Sequence, residues 1–121
     1  MEFANLDEMV ATKKRKIDLF GTDNFRCWML NFPPGDGTDM HYHTNPETFL
    51  VLSGSGKVKG IKGEERAIKK NEILFLAAKD YYQLTNTGNE PLVLIGNRSE
   101  AFGGPHILAD GRDRQKGEAN P

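Results

Sequence analysis

Two of the chain's three histidines, His41 and His43, stand one residue apart, and Glu47 follows four positions later, within the stretch "PGDGTDMHYHTNPETFLVLSGSG". In an extended backbone, successive side chains point to opposite sides, so His41 and His43 face one way and Tyr42 the other. Two imidazoles on one face can reach one ion. Glu47 has the same odd parity after the "TNP" interruption, as do Phe49 and Val51, which makes an inward row with a carboxylate at its mouth. Such a carboxylate needs a partner, and a cation held with the two histidines is one. Two histidines and a carboxylate with open positions suit one divalent transition metal, Fe, Mn, Ni, Co or Zn. That ion would polarise a substrate oxygen or activate water or dioxygen. A bare His-x-His on a strand is only two polar residues on one side; the added Glu47, the flanking glycines and the strand pattern are what favour a metal.

The elements that must position these groups are short. Apolar runs recur at 25 to 32, 47 to 54, 56 to 61, 72 to 78, 81 to 86 and 91 to 97, each of strand length. Between them lie "PPGDG", "SGSG", "KGEE", "AAKD" and "NTGNEP", rich in the residues that tight turns use. Evenly spaced strands predict an all-β sandwich or barrel. Both parities of "FRCWMLNF" are apolar, which predicts a second subunit over one face, a homodimer.

A length of 121 residues is one domain's worth. Residues 1–20 read as an N-terminal arm with a helical turn near Asn5 and the basic run "KKRK", 21–98 as the barrel, and 99–121 as a C-terminal segment whose charged end, from 110, reads as disordered. Sixteen Lys and Arg against 17 Asp and Glu leave no bulk field to draw nucleic acid, and no apolar stretch is long enough to span a membrane. The expected partner is a small molecule. A lone cysteine, Cys27, predicts a cytoplasmic protein without internal disulfides.

The motif resembles that of the cupins. Their first signature, Gly, five residues, His-x-His, three or four residues, Glu, six residues, Gly, is met here from Gly35 through His41, His43 and Glu47 to Gly54. Their second signature is kept only in outline, in "NEILFLAAKDYYQLTN": Asn71 stands where a glycine is usual, Ala77 and Lys79 where proline and glycine are usual, and Tyr82 where a third histidine ligand is usual, while Asn86 matches. The resemblance covers about residues 25 to 98. It implies a small RmlC-like barrel, the double-stranded β-helix or jelly roll, with His41, His43 and Glu47 as ligands inside it. Tyr82 has three readings: a phenolate ligand, a proton-holding acid toward substrate, or an ordinary strand aromatic.

Phe49, Arg26 and Trp28 are the candidates for substrate contact. An inward arginine, Arg26 or Arg98, would clamp a carboxylate, and an outward one would be solvated. Phe49, Phe75, Trp28 and Leu84 read mainly as core, Cys27 as buried and inert. His106, in "FGGPHIL", could be folded over the barrel mouth by the flexible Gly-Gly-Pro segment, but reads first as a surface histidine of a terminal segment. No nucleophile elbow, P-loop or dinucleotide fingerprint occurs. The resemblance and the histidine pair together predict a metal-binding cupin acting on a small organic molecule as an oxygenase, isomerase or lyase, with a ligand-binding or sensor barrel as the alternative. A metal-free epimerase-like barrel fits less well, because Glu47 would lack a cation.

Overall fold

The computed structural model describes residues 1–114, and in it the short apolar runs become strands. One helix, α1 (Leu6–Ala11), precedes them; the Asn5 side chain caps it by accepting from the Glu8 N–H. The strands are β1 (Lys16–Thr22), β2 (Phe25–Phe32), β3 (His41–Tyr42), β4 (Glu47–Ser53), β5 (Ser55–Lys59), β6 (Glu65–Lys69), β7 (Ile73–Leu76), β8 (Gln83–Thr85), β9 (Leu92–Arg98) and β10 (Ile107–Leu108). Among the described residues no helix is long and apolar enough to cross a membrane.

Pairing builds one sheet in the order β1-β2-β9-β4-β7 and another in the order β6-β5-β8, with β10 and β3 forming a small pair. Inward residues of both larger sheets meet in a single core: Trp28, Leu30 and Phe32 of β2, Phe49 and Val51 of β4, Leu92 and Leu94 of β9 on one side, Ile68 and Leu84 on the other. Strand β4 alternates as expected, with Glu47, Phe49 and Val51 buried and Leu50 exposed. The fold is the all-β sandwich rolled into a barrel that the strand spacing predicts.

Three expectations change. Met29 and Asn31, on the outward face of β2, are already covered within the chain, so the two apolar faces of that strand need no second subunit there. Phe75, read as core, is 65% exposed, because its cross-strand partner Thr48 lies on the outer face of β4. Residues 110–114, read as the start of a disordered tail, form a turn in which the Gly111 N–H donates to the Leu108 carbonyl and Asp113 bridges to Ile107. The remainder of that tail, 115–121, lies outside the described residues.

The glycines that bracket the histidine motif are needed for their backbone. Gly35 and Gly54 sit at φ +85° and +82°, and a Cβ at Gly54 would lie 2.3 Å from the Pro91 carbonyl oxygen. More telling are Asn71 and Lys79, which stand where glycines are usual and still take φ 72° and 67°. The left-handed turns have been kept while the glycines have not, at a cost of about 1–2 kcal/mol for a side chain such as lysine. At Lys79 the turn is held by its N–H, which donates to the His43 carbonyl at 2.8 Å.

Candidate metal centre

Strand β3 and the residue after it deliver His41 and His43 to the barrel interior, both buried, with Tyr42 on the other side. The strand is fixed by reciprocal bonds with Tyr82, whose N–H donates to the His41 carbonyl (2.8 Å) and whose carbonyl accepts the His41 N–H (3.0 Å). Each ring is then oriented by a backbone carbonyl: Nδ1 of His41 lies 2.8 Å from the Asp39 oxygen, and Nδ1 of His43 lies 2.7 Å from the Pro105 oxygen. A carbonyl only accepts, so in each neutral ring the hydrogen is on Nδ1 and the lone pair on Nε2.

Both rings are neutral at ordinary pH. Burial, with the nearby His106 next in weight, brings His41 down to about 3. Burial and the Arg98 charge push His43 lower still. The two Nε2 atoms are 3.0 Å apart, so two lone pairs face each other. Two nitrogens each ~2.1 Å from a common ion and ~90° apart are separated by ~3.0 Å, which is the edge of an octahedral site. An ion shared by both lone pairs resolves the repulsion; a shared proton would do so only by charging a ring that burial holds neutral.

The third histidine corrects the sequence reading. His106 is buried, not on the surface. The chain after Gly103 turns back, and β10 pairs with β3, Ile107 opposite Tyr42 and Leu108 opposite His41. Asp113 accepts the His106 N–H, and the His106 carbonyl accepts the Arg114 N–H at 2.7 Å. This hairpin stacks the His106 ring on His41, centroids 3.9 Å apart and planes 5° from parallel. One nitrogen from each of His41, His43 and His106 falls within 4.8 Å of the others, so three buried histidines are positioned to hold a metal ion. Their chemistry suits Zn, Fe, Ni, Co or Mn and leaves positions open for a small molecule.

Asp39 positions two of these rings. Its carbonyl accepts from His41, and its carboxylate lies 2.8 Å from Nε2 of His106, which leaves Nδ1 of a neutral His106 with the lone pair; Arg114 completes the carboxylate's pairing. Sequence reasoning passed over Asp39 and favoured the surface for His106. Available signals were the even spacing of Asp39 from His41 and the strand-like "HIL" after the glycines. Groups that orient metal ligands typically contribute ~10–100-fold in affinity. Asp39→Asn is therefore expected to weaken metal binding by about that factor in a chelator competition, with the circular dichroism spectrum unchanged.

Glu47 lies buried beside this cluster but in other company. Its Oε2 accepts from Arg98 Nε at 2.7 Å and lies 2.7 Å from Arg98 Nη2, the two residues being direct cross-strand partners on β4 and β9. Burial raises the Glu47 carboxyl, and the Arg98 charge opposes that rise. Tyr82 does enter the barrel: it is 1% exposed, with its ring 4.4 Å from that of His41 and 6.0 Å from that of Phe49. Burial first, and the Glu47 charge second, hold its phenol well above its ordinary pKa, so the hydroxyl keeps its proton. Asn86, the matched residue of the second signature, is structural: its amide donates to the Phe32 and Glu90 carbonyls.

The remaining candidates sit deeper. Arg26 and Arg98 are both buried, which settles the open question of their direction. They lie over the Trp28 ring at 4.0 and 4.8 Å, and Trp28 meets Phe49 edge to face at 5.6 Å. Burial and the Arg98 charge lower Arg26 to about 10, so it remains a cation.

The sequence profile described as cupin domain matches residues 28–96. Auxin-binding protein 1 of Arabidopsis thaliana is 32% identical over 85 residues, which cover 64% of this chain and 43% of that protein. Tetracenomycin polyketide synthase protein TcmJ of Streptomyces glaucescens is 29% identical over 66 residues, 54% of this chain and 44% of its own. The match thus spans less than half the length of these curated relatives. Among solved structures, a protein with a double-stranded β-helix domain from Klebsiella pneumoniae superposes with a TM-score of 0.77 at 20% identity, covering 88% of this chain and 90% of its own. DMSP lyase DddQ from Ruegeria pomeroyi superposes with a TM-score of 0.68 at 14% identity, covering 80% of this chain and 52% of that one. At such identities the likeness is one of fold.

Proposed function

The chain belongs to the cupin domain family, and from that premise we propose that it is a metal-dependent enzyme acting on a small organic molecule, with its ion held by His41, His43 and His106. The observation that carries this reading is the pair of Nε2 lone pairs facing each other at 3.0 Å. Glu47, expected from its motif as a further ligand, is assigned the balancing of the Arg98 charge. Arg26, Trp28 and Phe49 are assigned the support of that pair and of Tyr82, one layer below the substrate.

When bound, the metal supplies a Lewis acid that polarises a substrate oxygen. The chain supplies the proton chemistry. Tyr82, protonated and beside the His41 ring, is the group able to donate to an oxygen or carbon of a substrate held over the histidines. Of the oxygenase, isomerase and lyase chemistries open to such a site, proton transfer is the one for which this chain has a placed residue.

The test uses exchange, so the natural substrate need not be known. Metal-loaded protein is incubated in D2O with a panel of small enolisable oxo acids, and proton spectra are followed. Metal-dependent deuterium wash-in is expected, with buffer base taking the proton from carbon while Tyr82 donates to the developing enolate oxygen, and Tyr82→Phe, which removes only the hydroxyl, should slow it by ~10²–10⁴-fold while metal occupancy is retained. Turnover that requires dioxygen would assign an oxygenase instead. Binding without turnover across the panel would favour the second reading, a ligand-binding barrel, which the auxin-binding relatives recommend. The cytoplasmic location rests on the single free Cys27. A homodimer rests now on Leu50, Ile73 and Phe75, exposed on the outer face of β4 and β7.

A further inference from the structure

A groove of about 500 Å³ opens between the β5–β6 hairpin and the loop leading to β8. Such a volume suits a small organic ligand, for which ~300–1,000 Å³ is usual. Its walls include Val58, Ile61, Leu76, Tyr81 and the buried Tyr82. Tyr82 also approaches His41, so one residue belongs to both the groove and the histidine cluster.

The wall is joined firmly to the metal centre. Lys79 N–H donates to the His43 carbonyl, and Tyr82 exchanges two backbone bonds with His41, so three backbone bonds tie the 79–82 segment to the histidine strand. The left-handed backbone at Lys79 belongs to this segment, and strain of that kind is characteristically kept at functional sites.

The charges on the walls are unequal in their freedom. Of the acids, Glu65 is paired with Lys57 and Lys59, while Glu64 and Asp80 keep their charge but are turned onto the backbone N–H groups of Lys62 and Ala77. Arg66 is paired with Glu72. Lys62 and Lys79 also line the groove, and neither makes an ion pair among the described residues. Free ammonium groups beside an apolar and aromatic wall are the complement of an organic anion with a flat apolar body.

We propose that this groove binds a small carboxylate with an aromatic or apolar body, the carboxylate toward Lys62 and Lys79 and the body along Tyr81 and Leu76 toward Tyr82. The inference deepens the enzyme reading by naming a substrate class, and rests on it only in calling the ligand a substrate; binding itself needs no metal.

Benzoate, benzamide and acetate serve as probes on the full chain, with and without one equivalent of zinc, followed by ¹⁵N shift mapping. Benzamide has the body without the charge, and acetate the charge without the body. Benzoate is expected to saturate, with shifts concentrated at 58–62 and 77–82, and to bind at least ~10-fold more tightly than either of the others, as ~1.4 kcal/mol of added charge or apolar contact would give. The exposed double substitution Lys62→Gln with Lys79→Gln should reduce benzoate affinity about as far as the change to benzamide does. Equal affinity for benzoate and benzamide, shifts elsewhere, or no saturation at tens of millimolar, on the order of 2 kcal/mol of binding or less, overturns the proposal. Zinc titrations of the same samples separate the two readings: benzoate binding without zinc binding leaves the groove standing and removes the metal centre, and the reverse removes the groove alone.

Discussion

His106→Ala is expected to abolish tight metal binding, although the residue lies outside the strand motif that marks the family. Loss of a ligand should exceed the ~10–100-fold that loss of an orienting partner typically causes. His41→Ala should match it, since each variant removes one of the three nitrogens that fall within 4.8 Å of one another. The barrel should survive, because the apolar core is built from β2, β4, β7, β8 and β9 with Ile68 of β6 and Tyr82, and His106 packs on His41 outside that apolar set. Titration with zinc against a competing chelator reads the affinity, and a melting curve reads the fold. Wild-type affinity in His106→Ala would show that the C-terminal hairpin merely packs near the histidines.

The second large effect concerns Glu47 and Arg98, an ion pair with side chains 2% and 0% exposed. Removing one member of a buried pair leaves the other charge without compensation, which costs about 3–5 kcal/mol. Glu47→Gln is therefore expected to lower the melting temperature by roughly 10 °C or more in metal-free protein. Glu47→Gln combined with Arg98→Met should recover a good part of that loss, since a neutral pair of similar volume avoids the desolvation of both ions. The same single variant checks the ligand assignment: with His41, His43 and His106 as the holding set, Glu47→Gln retains zinc. A drop in melting temperature below about 3 °C would mean the pair is already compensated by its neighbours.

The sequence made the barrel and half of the centre legible for a simple reason: both depend on local periodicity. The runs that became β2, β4 and β9 are apolar enough to identify themselves, and the odd parity of His41, His43 and Glu47 places them on one side without knowledge of any partner strand. Strand β6 escaped because "ERAIK" buries only Ile68 and is otherwise a charged edge. Arg98 and His106 were named from the sequence, but their roles escaped for a different cause. The role of Arg98 follows from register, since it lies opposite Glu47 on one side and Arg26 on the other. His106 reaches the site through a long-range antiparallel pairing of two residue pairs, β10 on β3, from more than sixty positions away. No local pattern reports such a return. Tyr82 at the usual third-histidine position is the hint that the missing imidazole comes from elsewhere, and His106 is the one histidine left to supply it.

X-ray absorption on zinc-loaded wild-type protein tests the central claim most directly, because it counts imidazoles around the ion without need of a substrate. The account predicts one zinc per chain with three imidazole nitrogens at ~2.0–2.1 Å, falling to two in His106→Ala if any zinc is retained at high concentration. Two imidazoles and a carboxylate oxygen in the wild type, unchanged by His106→Ala, would contradict it and return Glu47 to the metal.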